Sequence, residues 1–132
     1  MKLKIRKAGI HDVPSVYRLV LAATRRGKIL KRSKAEVGNS IHHFWVAEEG
    51  KTVVACCALE IYNKKLAEVR SLAVDPAREK QGIASRLVEA CLKDARKKRV
   101  YEVLVITNRE NIFRRHGFSE QLHDQKALFI RP

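Results

Sequence analysis

The segment from residue 67 to residue 87 decides how the chain is interpreted. It reads Ala67-Glu68-Val69-Arg70-Ser71-Leu72-Ala73-Val74-Asp75-Pro76, then Ala77-Arg78-Glu79-Lys80, then Gln81-Gly82-Ile83-Ala84-Ser85-Arg86-Leu87. The largely apolar run 66–74 predicts a buried strand that ends at the Asp-Pro pair. From Ile83 onward, apolar residues recur at helical spacing and predict a long amphipathic helix. A strand that leads through a glycine-containing turn into a helix directs several backbone N–H groups at one point. The segment therefore predicts a cradle for a phosphate, although a glycine that opens a helix is also common in ordinary turns.

Patterns elsewhere predict an α+β domain in which a central mixed β-sheet is flanked by helices. Apolar residues alternate over 2–7 and follow helical spacing from Val13, while Ser33 and Glu36 predict a capped short helix. Further strands are predicted at 44–48, 52–61 and 101–106, a short helix at 108–115, and two last strands at 118–122 and 127–130. The predicted order is β-α-α-β-β-β-α-β-α-β-β, and it describes one domain over residues 1–132.

The length and charge of the chain indicate what class of protein it is, but they leave several functions open. A chain of 132 residues has about the length of one domain, and its net charge is +14. Its longest apolar run, Val53 to Leu59, is far below the roughly 18–20 residues of a membrane span, and the N-terminus lacks a signal-peptide core. We therefore expect no membrane association and a cytoplasmic location. The positive charge favours an anionic partner, and by itself it leaves nucleic acid, a membrane surface, a phosphorylated cofactor and an acidic substrate open.

The cysteines predict no metal or redox site. Cys56, Cys57 and Cys91 have no C-x-x-C spacing. We expect them to be small buried side chains in a reducing compartment.

The segment quoted first resembles the GNAT family of acyl-CoA-dependent N-acetyltransferases. The run Phe113-Arg114-Arg115-His116-Gly117-Phe118 is similar to that family's helix ending in Gly-Phe, and the order of elements agrees over nearly the whole chain. A narrower resemblance is to the acetyltransferase domain of N-acetylglutamate synthases, and the segments that carry it are Lys31-Arg32-Ser33, 41–49, 56–62 and 66–74. The resemblance implies a GNAT fold and direct transfer of acetyl from acetyl-CoA to the primary amine of a small acceptor. It points to L-glutamate and arginine biosynthesis.

An acetyltransferase fold that binds acyl-CoA without turnover stays open beside this function, and so do two others. The first is a protein or peptide N-acetyltransferase. The second is a non-catalytic basic module that binds polyanions through the clusters at 25–34 and 96–99. No recognised nucleic-acid-binding motif occurs, however, and the aromatic residues do not interleave with the basic runs, so we do not expect a nucleic-acid partner. A homodimer is one expected assembly, because members of the family often dimerise through their last strands.

The resemblance also implies which residues bind acetyl-CoA. In the family, backbone groups at the end of the fourth strand hold the pantetheine arm like an added strand, and the following turn and helix hold the phosphates. The implied strand positions are Leu72, Ala73 and Val74. The implied positions in the turn and the helices are Arg78, Lys80, Gln81, Gly82, Ile83, Ala84, Ser85, Arg86, Asn111 and Phe113.

Two residues depart from the family pattern. Glu79 stands where the family has Gln or Arg, and a carboxylate beside a pyrophosphate is unfavourable unless it points away. We therefore expect Glu79 to face solvent, with Arg78 or Lys80 supplying the missing cation. Phe113 stands where many members have a Tyr that protonates the departing CoA thiolate, and a Phe cannot donate a proton. The synthases also commonly have Phe there, which agrees with the narrower resemblance.

The resemblance places Glu68 where several members have a catalytic glutamate, and Glu60 on the preceding strand is the second candidate. The acceptor amine is an ammonium at neutral pH, so a base must remove a proton, directly or through water. An ion pair with Arg70 is the alternative role for Glu68. Arg32 and Arg70 match basic positions of the synthase-like segments and would bind the carboxylates of the acceptor, for which Arg is the natural bidentate partner. For both arginines, a solvated surface charge is the alternative.

Overall fold

The computed structural model describes residues 2–132, and its centre is one five-stranded sheet in the order β1-β2-β3-β4-β5. The strands are β1 (Leu3–Lys7), β2 (Phe44–Glu49), β3 (Thr52–Ile61), β4 (Leu66–Val74) and β5 (Glu102–Val105). Strands β1 to β4 pair in antiparallel fashion, whereas β5 runs parallel to β4. The predicted mixed sheet is therefore confirmed.

Four α-helices cover the two faces of the sheet. They are α1 (Val13–Arg25), α2 (Lys34–Asn39), α3 (Ile83–Lys97) and α4 (Glu110–Arg114). The predicted capping box of α2 is present, because the Glu36 N–H donates to Ser33 Oγ and the Ser33 N–H donates to the Glu36 carboxylate. Helix α1 packs on one face and α3 on the other, so the core has two layers.

Strand β3 is buried on both faces, which explains its continuous apolar run. Cys56 and Ala58 pack in the layer of α1, while Cys57 and Leu59 pack in the layer of α3. All three cysteines are buried free thiols, as predicted. Burial raises the pKa of Cys56 to about 12, so this thiol stays protonated at neutral pH.

The two strands predicted at 118–122 and 127–130 are not formed, and this part of the prediction is wrong. The chain after α4 has neither helix nor strand in the structure. Leu128, Phe129 and Ile130 are largely exposed instead. A continuous apolar run of this kind is typical of a strand, but a strand needs a neighbour to pair with, and no strand of the described residues pairs with this segment.

Strand β4 has two irregularities that create an opening in the sheet. From Ala58 to Cys56, β3 advances two residues while β4 advances three, from Arg70 to Ala73, so β4 has a bulge. Ser71 lies in the bulge with a positive φ of 56°. The parallel pairing with β5 ends at Val69, and the last residues of β4 therefore have free backbone groups on that side.

Candidate active site

A cavity of about 560 Å³ lies where β4 and β5 separate. Its floor is the end of β4, and its walls come from the end of α1, the loop after β4, the first turn of α3, and α4. The lining includes six cationic side chains and a single carboxylate, Glu79; the cations are Arg26, Lys28, Arg78, Lys80, Arg109 and Arg115. The site therefore favours a ligand with several negative charges.

The turn before α3 has the geometry that a phosphate cradle requires. Gly82 is the N-cap of α3 and has a φ of +79°, a conformation that L side chains rarely adopt. Lys80 is also in the left-handed region, with a φ of 64°. Gly82, Ile83, Ala84 and Ser85 line the cavity, so the N-terminus of this 15-residue helix faces it.

Most of the residues predicted to bind the cofactor lie in this cavity. The structure places there Leu72, Ala73, Val74, Arg78, Lys80, Gly82, Ile83, Ala84 and Ser85. Gln81, Arg86 and Asn111 are exposed and do not line it. Phe113 is buried in the core, where its ring packs edge-to-face on Phe118 at 5.6 Å between centroids.

Glu79 is partly buried within the cavity and does not point away from it, so the expectation for this residue is corrected. Its carboxylate accepts from Arg26 at 2.7 Å and from Lys28 at 3.3 Å, and it lines the cavity. The hydrogen bond from Arg26 holds the pKa of Glu79 below its usual value. The sequence motif could not show this, because Arg26 and Lys28 lie some 50 residues earlier, in the loop after α1.

Arg109 occupies the gap between β4 and β5. Its Nη2 donates to the Leu72 carbonyl at 3.0 Å, which is one of the free backbone groups of β4. Its Nε is buried and has no hydrogen-bond partner, and burial lowers the pKa of this guanidinium. A buried donor without a partner is costly, so a ligand acceptor that reached this atom would be favoured. Sequence reasoning missed Arg109, although its position between a buried strand and a helix is a usable signal.

Ser85, His116 and Glu89 form a row of polar side chains beside the cavity. Ser85 Oγ lies 2.9 Å from His116 Nε2, and His116 Nδ1 lies 3.5 Å from the Glu89 carboxylate. The row connects the first two turns of α3 with the segment that follows α4.

The four residues predicted for catalysis and acceptor binding come together in one cluster. Glu60 accepts from Arg32 at 3.2 Å and from Arg70 at 3.1 Å. Glu68 lies directly opposite Glu60 in the β3–β4 register. The Tyr62 hydroxyl donates to Glu68 at 2.5 Å, and burial together with this carboxylate raises the pKa of Tyr62 to about 12. Tyr62 therefore stays a proton donor over the whole neutral range, and Glu68 is not paired with Arg70.

The two arginines of the cluster differ in what they can bind. Arg32 is 6% exposed, and its guanidinium donates to the hydroxyls of Ser71 and Ser40 as well as to Glu60. The Arg70 side chain is 34% exposed and has one carboxylate partner. Arg70 is therefore the cation that an incoming anion can reach. Because Ser71 directly precedes Leu72, this cluster adjoins the cavity along β4.

Two further observations concern what the described residues lack. In residues 2–132 no helix is both long enough and apolar enough to cross a membrane. The same residues contain no group of three or more His, Cys, Asp or Glu side chains that could hold a metal ion.

Comparisons with known proteins agree with this geometry. The model of the acetyltransferase (GNAT) domain family matches residues 40–120. An amino-acid acetyltransferase of Mycobacterium tuberculosis is 39% identical over 121 residues, which are 88% of this chain and 68% of that protein. The solved structure of Rv2747 from the same organism, in complex with CoA, superposes with a TM-score of 0.84 at 34% identity, covering 90% of this chain and 73% of that one.

A longer protein shares the same fold. The N-acetylglutamate synthase of Neisseria gonorrhoeae, complexed with coenzyme A and L-arginine, has a TM-score of 0.78 at 26% identity. The match covers 96% of this chain and 29% of that protein. The open edge of β4, the cationic cavity at the start of α3 and the matched family model lead to one conclusion: the chain belongs to the GNAT family, and it is an acetyl-CoA-dependent N-acetyltransferase of the amino-acid acetyltransferase type.

Proposed function

We propose that the chain, as one domain over residues 1–132, transfers acetyl from acetyl-CoA to the amino group of L-glutamate. The observation that carries the proposal is the cluster of Glu60, Glu68 and Arg70 beside the free edge of β4. It combines a carboxylate that can take a proton with a reachable cation, next to the place where a thioester would lie. The relatives named as amino-acid acetyltransferase and N-acetylglutamate synthase support this choice of acceptor.

The residues present fit acetyl-CoA. The free backbone groups of Leu72 to Val74 suit the amides of pantetheine, because a strand edge pairs with amides. Lys80, Arg26 and the N–H groups at the start of α3 suit the phosphates. Arg109 Nε offers a donor that has no partner within the protein. When bound, acetyl-CoA supplies the acetyl thioester whose carbonyl carbon the acceptor amine attacks.

Glu68 acts as the general base for the acceptor. It takes a proton from the ammonium, directly or through a water molecule, so that the nitrogen lone pair becomes available. Tyr62 holds the carboxylate in place from the other side. Glu60 is less suited to this role, because both of its oxygens already accept from arginines. Phe113 is buried and has no proton to donate, so this position would not supply a general acid for a departing CoA thiolate.

Arg70 binds a carboxylate of the acceptor, and Arg32 positions the groups around it. Arg70 is exposed enough to form a bidentate pair, the geometry that Arg and carboxylate share. Arg32 is buried among Glu60, Ser71 and Ser40, where it fixes Glu60 and the bulge of β4. Arg32 therefore acts on the acceptor through its neighbours.

The decisive experiment measures CoA release from acetyl-CoA with a panel of acceptors. The panel contains glutamate, glutamine, aspartate, arginine, lysine and peptides with a free N-terminus. We expect turnover to be fastest with glutamate. Faster turnover with a peptide would favour a protein N-acetyltransferase, and binding of acetyl-CoA without turnover of any acceptor would overturn the enzymatic proposal for this acceptor class. A homodimer and a cytoplasmic location stay predictions.

A further inference from the structure

His116 has no part in the acetyl transfer described above, yet it is almost enclosed between two polar side chains. Its side chain is 12% exposed, and its two ring nitrogens face Ser85 Oγ at 2.9 Å and the Glu89 carboxylate at 3.5 Å. Ser85 also lines the cationic cavity in the first turn of α3. We infer that His116 is a positioning residue that couples binding of the cofactor's phosphates to the uptake of one proton. The inference rests on the placement of acetyl-CoA in this cavity proposed above.

In the neutral imidazole, the Glu89 carboxylate and the Ser85 hydroxyl together determine which ring nitrogen carries the proton. A neutral imidazole has one N–H and one acceptor nitrogen. The Glu89 carboxylate can only accept, so it favours the tautomer with the proton on Nδ1. Nε2 is then an acceptor, and the Ser85 hydroxyl must donate to it. In this state Ser85 presents only oxygen lone pairs to the cavity, which repel the oxygens of a phosphate.

Protonation of the imidazole reverses the direction of the hydrogen bond between His116 Nε2 and Ser85 Oγ. Both ring nitrogens now carry a proton, so Nδ1 donates to Glu89 while Nε2 donates to Ser85 Oγ. The hydroxyl proton of Ser85 is thereby free to point into the cavity and donate to a phosphate oxygen. Binding of the phosphate favours the protonated ring, and by linkage protonation of the ring favours binding of the phosphate to the same extent.

The charges around His116 are consistent with this coupling. Helix α3 contributes Glu89, whose carboxylate lies 3.5 Å from His116 Nδ1 and also accepts from Arg96 at 3.0 Å. Arg114 and Arg115 precede His116 in the chain, and the Arg114 guanidinium pairs with Glu120. One carboxylate therefore lies beside the ring, and the negative charge of a bound phosphate stabilises an added proton there.

The direct test is calorimetric titration of CoA into the protein at pH 7, in two buffers with different ionisation enthalpies. The difference in binding enthalpy gives the number of protons taken up on binding. We expect uptake in the unmodified protein and its loss in His116→Gln, whose amide nitrogen donates to Ser85 without titrating. The phosphate monoester of CoA titrates near pH 6, and the His116→Gln protein supplies that baseline. His11→Gln, on an exposed histidine, is the control and retains the uptake.

Steady-state kinetics give a second readout. Between pH 6 and pH 8 the KM for acetyl-CoA should rise about three- to tenfold more in the unmodified protein than in His116→Gln, because histidine changes charge in this range. The effect on this KM should exceed the effect on kcat. Ser85→Ala should weaken binding at pH 6, where the Ser85 hydroxyl donates to the phosphate, and should remove the extra dependence on pH. Equal proton uptake in His116→Gln and the unmodified protein would overturn the inference. Failure of the unmodified protein to bind CoA would instead overturn the cofactor placement.

Discussion

The Tyr62 hydroxyl lies 2.5 Å from Glu68 Oε1, whereas both arginines of the cluster pair with Glu60. If Glu68 is the base, Glu68→Gln should lower kcat with glutamate by about 100-fold or more, the usual contribution of general base catalysis. Tyr62→Phe removes only the orienting donor and should lower kcat by about three- to tenfold. Stopped assays of CoA release measure both. Asp124→Asn, on the exposed segment after α4, is the control, and a kcat within threefold of normal in Glu68→Gln would exclude Glu68 as the base.

Substitutions of the two arginines that pair with Glu60 should have different effects: one should weaken binding of glutamate, and the other should lower the stability of the protein. Arg70→Gln removes a cation that is one-third exposed, so it should raise the KM for glutamate about tenfold or more while changing the free energy of unfolding by less than about 1 kcal/mol. Arg32→Met breaks a buried pair and should lower the free energy of unfolding by about 3 kcal/mol. Urea denaturation and substrate titrations check both. The assignment fails if Arg70→Gln leaves the KM for glutamate unchanged.

Glu79 lowers the positive charge of the cofactor cavity. Its carboxylate pairs with Arg26 and Lys28, which a bound phosphate would otherwise meet. We expect Glu79→Gln to tighten acetyl-CoA binding several-fold, about three- to tenfold, and to steepen its dependence on salt concentration. Calorimetric titration at two salt concentrations measures this, with Glu102→Gln as the matched carboxylate elsewhere. Weaker binding in Glu79→Gln would mean that Glu79 acts chiefly by anchoring the loop after α1.

Asp12 gives the stability of the protein a dependence on acid pH. It accepts from Arg6 at 2.8 and 3.0 Å and from the Gly9 N–H, and the hydrogen bonds from Arg6 hold its pKa below the usual value. A depressed pKa in the folded state contributes stability that is complete above the unfolded pKa, near 3.9, and is lost as the pH falls through the folded pKa.

Asp12→Asn should therefore cost about 2 kcal/mol of unfolding free energy at pH 7 and progressively less below about pH 4. Urea unfolding midpoints at pH 7, 4 and 3 check the trend. Asp124→Asn, on an exposed loop, should show no such pattern. A constant difference between Asp12→Asn and the unmodified protein at all three pH values would contradict the assignment.

Local patterns predicted most of the fold because they report burial directly. The apolar stripe of α3, the capping box at Ser33 and the run of β3 on which both core layers pack are all visible within single segments. The prediction of the last two strands was wrong because a local pattern does not report pairing. The apolar residues 127–130 satisfy the strand pattern, but pairing depends on a neighbour that the segment itself does not encode.

The residues of the candidate site likewise fall into two groups, those that the sequence could locate and those that only the structure shows. The turn at Gly82 and the carboxylates of β3 and β4 could be located from motif and resemblance. Arg109 and the partners of Glu79 could not, because their contacts join residues 37 to 53 positions apart. Long basic side chains have several rotamers, and only the packed structure selects one.

The bulge at Ser71 shifts the alternation of β4 by one residue. Before it, Ala67 and Val69 pack toward α3; after it, Leu72 takes that side and Ala73 packs toward α1. In the first half of β4, the Arg70 side chain pairs with Glu60. In the second half, the apolar side chain of Leu72 still packs in the α3 layer. If Ser71 instead took a regular place in the ladder, the two faces of everything that follows in β4 would be exchanged, and Leu72 and Ala73 would each enter the wrong layer. The position of one serine therefore keeps the chemistry of the strand compatible with its packing.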